Sequence, residues 1–265
     1  MAGYQALLKR LGGDGCAAVG VLNGLLPEGV VGGGGKRLRF VEAEQVPGVE
    51  YERHVFETGE VPTREGSWHD FYNALAWCRW PRLKAAMNAV HYRHLDEAGD
   101  GRRGAVRDAL TLLDESGALV VSRDAALLEA LAARDWQRAF LGLRERWSES
   151  VCLLCGHALL EKLRAPYKAV TAHALLLRIP AADRISDPGL LRRLDAALAE
   201  ALLAGVLLPD ATRFSPLPLA GVPLWWSAAP QDEAFYADRG VFRPPREDAA
   251  RAAILELETL GESTS

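Results

Sequence analysis

The sequence is short of the features that classify a protein most quickly. It has four cysteines in 265 residues: Cys16, Cys78, Cys152 and Cys155. They are scattered and sit in apolar settings, which excludes the disulfide framework of a small secreted domain and favours a reducing compartment. No uninterrupted apolar run reaches about 18 residues, so no transmembrane helix is expected. The apolar stretch 16–26 follows Lys9 and Arg10, but Asn23 interrupts it, glycines loosen it and no clean small-x-small cleavage site follows. The cytoplasm is therefore the expected location. An excess of one charge is also missing. With 31 basic and 35 acidic residues the net charge is -4. Neither nucleic acid nor a membrane is indicated as a partner. Hydrophobic residues at 49% and charged residues at 25% describe an ordinary globular chain. That composition excludes a disordered, fibrous or coiled-coil protein.

Familiar catalytic signatures are absent too. There is no G-x-S-x-G elbow and no H-E-x-x-H. Residues 13–18 fit G-x-G-x-x-A, but the preceding residues look helical and Asp14 would set a negative charge where a pyrophosphate must lie. Gly35 and Lys36 resemble part of a phosphate loop. Val30 occupies the earlier glycine position, however, and Arg37 replaces the hydroxyl residue that holds magnesium. Cys152 and Cys155 form a C-x-x-C inside an expected helix with no second pair, which reads as two buried thiols.

What is present is an α+β pattern. Short helices are expected over 2–11 and 15–26, a flexible joint over Gly32–Gly35, and strands over Arg37–Val41 and Tyr51–Glu57. Ser67 can cap a helix from Trp68 to Trp80, and Pro81 pre-sets the first turn of another to about Leu95. A charged loop, Asp96–Arg107, follows. Leu110–Leu113 and Ala118–Ser122 then read as a β-hairpin turning at Gly117. Helices are expected at 124–133, 135–147 and 149–163, a buried strand at Val170–Ile179, and a long helix from Asp187 to Ala204. Residues 209–245 hold seven of the fourteen prolines with Trp225, Trp226, Phe235, Tyr236 and Phe242. Five large aromatics argue for an ordered segment that wraps the domain. A last amphipathic helix is expected over 246–260.

Three polar constellations stand out. His69 and Asn73 share a helix face beside Asp70, while Lys84, Asn88 and His91 form a second stripe. The apolar residues between them imply partial desolvation, which forces polar groups to find partners. A solvated face with ordinary caps is the plainer alternative. The second constellation is His157 and Glu161, one helical turn apart, with His173 on the next strand. These fit a three-ligand divalent metal site, an imidazole oriented for acid/base work, or a core histidine satisfied by its neighbour. The third is Arg102, Arg103, Arg107 and Asp108 with Asp114 and Glu115. Asp114 and Glu115 read as turn chemistry, and Arg107 and Asp108 stay open as ligand contacts.

These segments carry a family resemblance. WHDFYNALAW at 68–77 with Pro81–Lys84 and Asn88, RDALTLLDE at 107–115, GHALLEKL at 156–163, and PLPLAGVP at 216–223 with FYAD at 235–238 and VFRP at 241–244 resemble the bacterial family catalogued as domain of unknown function 3025. Phe71-Tyr72, Leu112-Leu113 and Cys155 depart mildly from its aromatic pattern without touching the polar residues. The resemblance implies one domain over 35–246 that includes the Pro-rich segment. It brings no activity with it.

The expected fold is a mainly helical α+β domain with a small antiparallel or mixed sheet. Residues 1–34 form a helical N-terminal extension, 35–246 the main domain and 247–265 a C-terminal helix and tail. Two functions fit. One is a hydrolase-like enzyme using His69, Asp70, Asn73, His157, Glu161 and His173, with or without a divalent metal. The other is a non-catalytic domain that binds a small anion through Arg82, Lys84, Asn88, His91, Arg107 and Asp108, or binds another protein.

Overall fold

The computed structural model describes residues 4, 7–9, 16–95, 101–180, 184–207, 210–245 and 250–257, without the side chains of 101–103. The expected helix over 2–11 and the first residues of the charged loop fall largely outside these. The chain is α+β and divides into two compact units. Unit 1 is Met1–Thr111 with Leu194–Pro209, and unit 2 is Leu112–Arg193 with Asp210–Ser265.

In unit 1 residues 7–9 are helical, and α1 (Val19–Asn23) buries Leu22. Asn23 then donates to the Phe40 carbonyl at 2.9 Å and accepts from the Phe40 N–H at 2.8 Å. The residues before 35 are thus tied into this unit's core. β1 (Arg39–Glu42) pairs in parallel with β2 (Glu60–Thr63). Between them lies a correction: Tyr51–Glu57, expected as a strand, belongs to helix α2 (Tyr51–Thr58), capped by the Glu50 carboxylate on the Arg53 N–H. α3 (Trp68–Arg79) and α4 (Pro81–Arg93) start as Ser67 and Pro81 predict. Asp195, on α8 (Leu190–Leu203), adds a cap that the sequence did not reveal. Its carboxylate accepts from the Arg82 and Leu83 N–H groups at 3.1 and 2.9 Å. The glycine run is no flexible joint. A Cβ on Gly33 would lie 2.5 Å from the Ala89 nitrogen, so the bare backbone is what lets this loop rest on α4.

Unit 2 is built on a mixed sheet ordered β4-β3-β5-β6. β3 (Gly117–Ser122) runs antiparallel to β4 (Ser150–Leu154) and parallel to β5 (Thr171–Arg178). The other edge of β5 is shared by antiparallel β6 (Ser215–Pro218) and parallel β7 (Ile254–Glu256). β3 and β5 are buried on both faces, which explains their nearly continuous apolar sequences. Three expectations change here. Leu110–Leu113 is not a strand, because α5 (Gly101–Ser116) runs to the start of β3. The expected helix over 149–163 is β4 followed by α7 (His157–Lys162). The last amphipathic helix is replaced by β7 among the described residues.

After α6 (Ala125–Ala132), a π-helical turn over Arg138–Gly142 leads into a 3-10 segment over Arg144–Glu149. Phe140 stacks between Trp136, Trp147 and Tyr236 at centroid distances of 5.8, 5.7 and 5.6 Å. The Pro-rich segment supplies Phe235, Tyr236 and Phe242 to this core, and α9 (Glu233–Tyr236) presents two of them. Trp225 and Trp226 are only half-buried. No helix among the described residues is long and apolar enough to cross a membrane.

Candidate functional site

In unit 1 the two predicted polar stripes meet at one bond, between Lys84 and Asn73. The Asn73 amide donates to the Tyr51 hydroxyl at 2.9 Å, and the Lys84 ammonium donates to the Asn73 carbonyl oxygen at 2.9 Å. Lys84 also lies 5.3 Å from the centre of the Trp77 ring. Burial pushes the Tyr51 phenol up, and the charge of Lys84 only partly opposes this. Asn88 accepts from the Gly33 N–H at 3.1 Å and donates to the carbonyl and carboxylate of Glu52 at 2.8 and 2.7 Å. It pins the glycine loop and α2 onto α4. Asp70 is engaged elsewhere: it takes three bonds from Arg64, one from the backbone and two from the guanidinium, all at 2.7–2.8 Å. Burial pushes its carboxyl up, but the bonds and charge of Arg64 outweigh that and hold it below the usual range. His69 is half-buried on the first turn of α3, His91 is buried on α4, and Arg107 and Asp108 are exposed on α5.

Unit 2 brings a different set together. The last turn of α5 carries Asp114, Glu115 and Ser116, and the β4–α7 loop presents His157 as the first residue of α7. The loop approaches so closely that a Cβ on Gly156 would lie 2.4 Å from the Gly117 nitrogen and 2.6 Å from that of Ser116. The Cys155 and Gly156 N–H groups both reach the Gly117 carbonyl, at 3.1 and 2.9 Å. His157 Nδ1 then lies 3.6 Å from Asp114 Oδ1, and Nε2 lies 3.7 Å from Glu115 Oε1. Both separations suit ion pairing but exceed a hydrogen bond. The imidazole is buried, whereas the carboxylate side chains are 18% and 42% exposed. On the same corner, Ser116 Oγ and His173 Nδ1 share a 2.7 Å hydrogen bond. Burial, helped by the charge of Lys162, holds the His173 imidazole below its usual proton affinity.

Three readings of the sequence are corrected by this corner. Asp114 and Glu115 are not turn residues but the helical carboxylates nearest His157 among the predicted candidates in this unit. His157, Glu161 and His173 do not gather their ligand atoms into a metal triad among the described residues. Cys152 and Cys155 belong to β4 and the turn after it, not to a helix, and both are buried. Burial pushes the Cys152 thiol up to about 12, which makes it inert as a nucleophile near neutral pH. Ser116 was not singled out by the sequence, since a lone serine at a helix end carries no signal.

A family model described as a protein of unknown function (DUF3025) matches residues 38–246. The chain belongs to the DUF3025 family. No curated protein and no solved structure matches it. The DUF3025 match takes in all three polar constellations and the Pro/aromatic segment.

Proposed function

We propose that the His157 corner of unit 2 is the acid/base centre of a hydrolase-like enzyme. The observation that carries this reading is one buried imidazole with a different carboxylate facing each ring nitrogen. A carboxylate at Nδ1 favours the tautomer with its proton there and leaves the Nε2 lone pair as a base. In the proposed reaction His157 takes a proton from water, whose oxygen attacks an acyl or phosphoryl centre. The proton then passes to the leaving group. Glu115, the more exposed carboxylate, orients the water. The Ser116–His173 pair offers a hydroxyl and a neutral imidazole for substrate contact.

The test is turnover of a panel of carboxylic esters, amides and phosphoesters by the purified protein. His157→Gln is expected to reduce the rate by about 10²–10⁴-fold without unfolding the protein. No turnover across the panel, or full activity in that variant, defeats the proposal.

A divalent metal version has one observation in its favour. Two ligands on a tetrahedral ion at 2.0–2.2 Å stand about 3.4 Å apart, close to the Nε2–Oε1 separation. Asp114 would then orient the ligating imidazole from its other nitrogen. Elemental analysis of protein purified without chelator should find about one ion per chain. Its absence, with no thermal stabilisation by added zinc or manganese, removes this version.

A further inference from the structure

We infer that a separate cleft in unit 2 binds a small molecule that joins a carboxylate to a flat apolar body. The cleft encloses about 390 Å³ and is lined chiefly by Arg134, Trp136, Thr171, Pro216, Pro218 and Arg243. That volume lies in the range of small-molecule sites. It shares no residue with the His157 corner, so the two proposals stand or fall separately.

Its chemistry is lopsided. Two arginines line it, and no acidic residue does among the described residues. Arg134 makes no ion pair among the described residues, and the Arg243 Nε bonds only a backbone oxygen, that of Gly240, at 3.3 Å. Asp238, two residues before Gly240, is already taken by the Lys168 ammonium at 2.7 Å. Guanidinium pairs match the planar oxygens of a carboxylate.

The backbone adds a second argument. Arg134 has φ 56°, in the left-handed region, just past the end of α6. Glycine is the usual residue there, because any side chain is strained. An arginine in that position is accounted for if its guanidinium is needed where this geometry delivers it.

The walls argue for an organic anion over an inorganic one. Trp136 is buried, and its indole N–H donates to the Arg243 carbonyl at 2.7 Å, which fixes the segment opposite. Pro216 and Pro218, on an edge strand, add apolar surface with no N–H to offer. Free phosphate would leave these walls unused.

The test is calorimetric titration of the whole protein with benzoate at low ionic strength, with inorganic phosphate and benzyl alcohol as comparisons. Benzoate should bind saturably at one site per chain, more tightly than either comparison. Arg134→Gly and Arg243→Gln should each weaken it about tenfold or more. Arg134→Gly removes the cation while relieving the backbone, and an unchanged or raised melting temperature separates lost binding from lost fold. The proposal is overturned if benzoate shows no saturable binding, if the double variant binds it as well as the parent, or if phosphate or benzyl alcohol binds as tightly.

Discussion

Lys84 in unit 1 and His157 in unit 2 are 5% and 4% exposed, and each sits in the first turn of a helix. Burial alone does not separate them, but their surroundings do. Lys84 bonds Asn73 at 2.9 Å, which in turn bonds Tyr51, so the group closes on itself inside the core. His157 faces two carboxylates at 3.6 and 3.7 Å, and those carboxylates reach solvent. A closed network at hydrogen-bond distance holds helices together. A cluster at ion-pair distance whose carboxylates are partly exposed can still exchange protons with solvent. The Lys84–Asn73–Tyr51 bonds suit a structural role for the stripe in unit 1, and the proposed chemistry is placed on the His157 cluster instead.

The strongest way to break this contrast is to remove Lys84. Lys84→Ala leaves the Asn73 oxygen without its ammonium and opens a void beside Trp77. It should cost about 3 kcal/mol, read by urea denaturation. A loss under about 1 kcal/mol would return unit 1's stripe to the functional candidates. Next in size is Gly33→Ala. The added methyl meets the α4 backbone, so the loop must lift and forfeit its bond to Asn88, at roughly 2 kcal/mol. Unchanged stability would show that the loop is looser than its packing implies. His157→Gln should by contrast change stability by no more than about 1 kcal/mol, because glutamine keeps a polar side chain of similar reach facing the two carboxylates. A larger loss would make the corner structural.

The smallest effect concerns pH. Burial, then the charge of Lys162, depresses proton binding by His173 in the folded state. The unfolded chain binds that proton more readily, so stability rises with pH across this titration. The contribution is complete above the ordinary histidine value of about 6.5 and is lost as pH falls through the depressed folded value. His173→Gln should flatten the decline in melting temperature below about pH 6.5. An identical slope in parent and variant would remove His173 as the source.

Much of the fold was legible where local signals agreed. α3 and α4 were readable because Ser67, Pro81 and the apolar stripe all place the same boundaries. β5 was readable because a continuous apolar run sits between Pro166 and Pro180. The errors fell where a short segment suits two structures. Tyr51–Glu57 alternates well enough for a strand, yet the Glu50 cap and its packing against α4 make it helical. Ser150–Leu154 has helix-compatible residues, but β3 offers it a ladder from Ser122 to Ala118. The candidate site was legible in part. His157 and His173 were found as types, while their partners were not, because Asp114–Ser116 lies about 40 residues from His157 and nearly 60 from His173.

The sequence by itself determined the α+β class, the family, the central helix pair and the inventory of titratable residues, since composition, capping and periodicity act over a few residues. Only the tertiary structure decided what those residues do. It linked Lys84, Asn73 and Tyr51 by hydrogen bonds, tied Asn88 to Gly33 and Glu52, and set Asp114 and Glu115 against His157. The close approach at Gly156 and Gly117, which no local pattern encodes, is what brings that corner together.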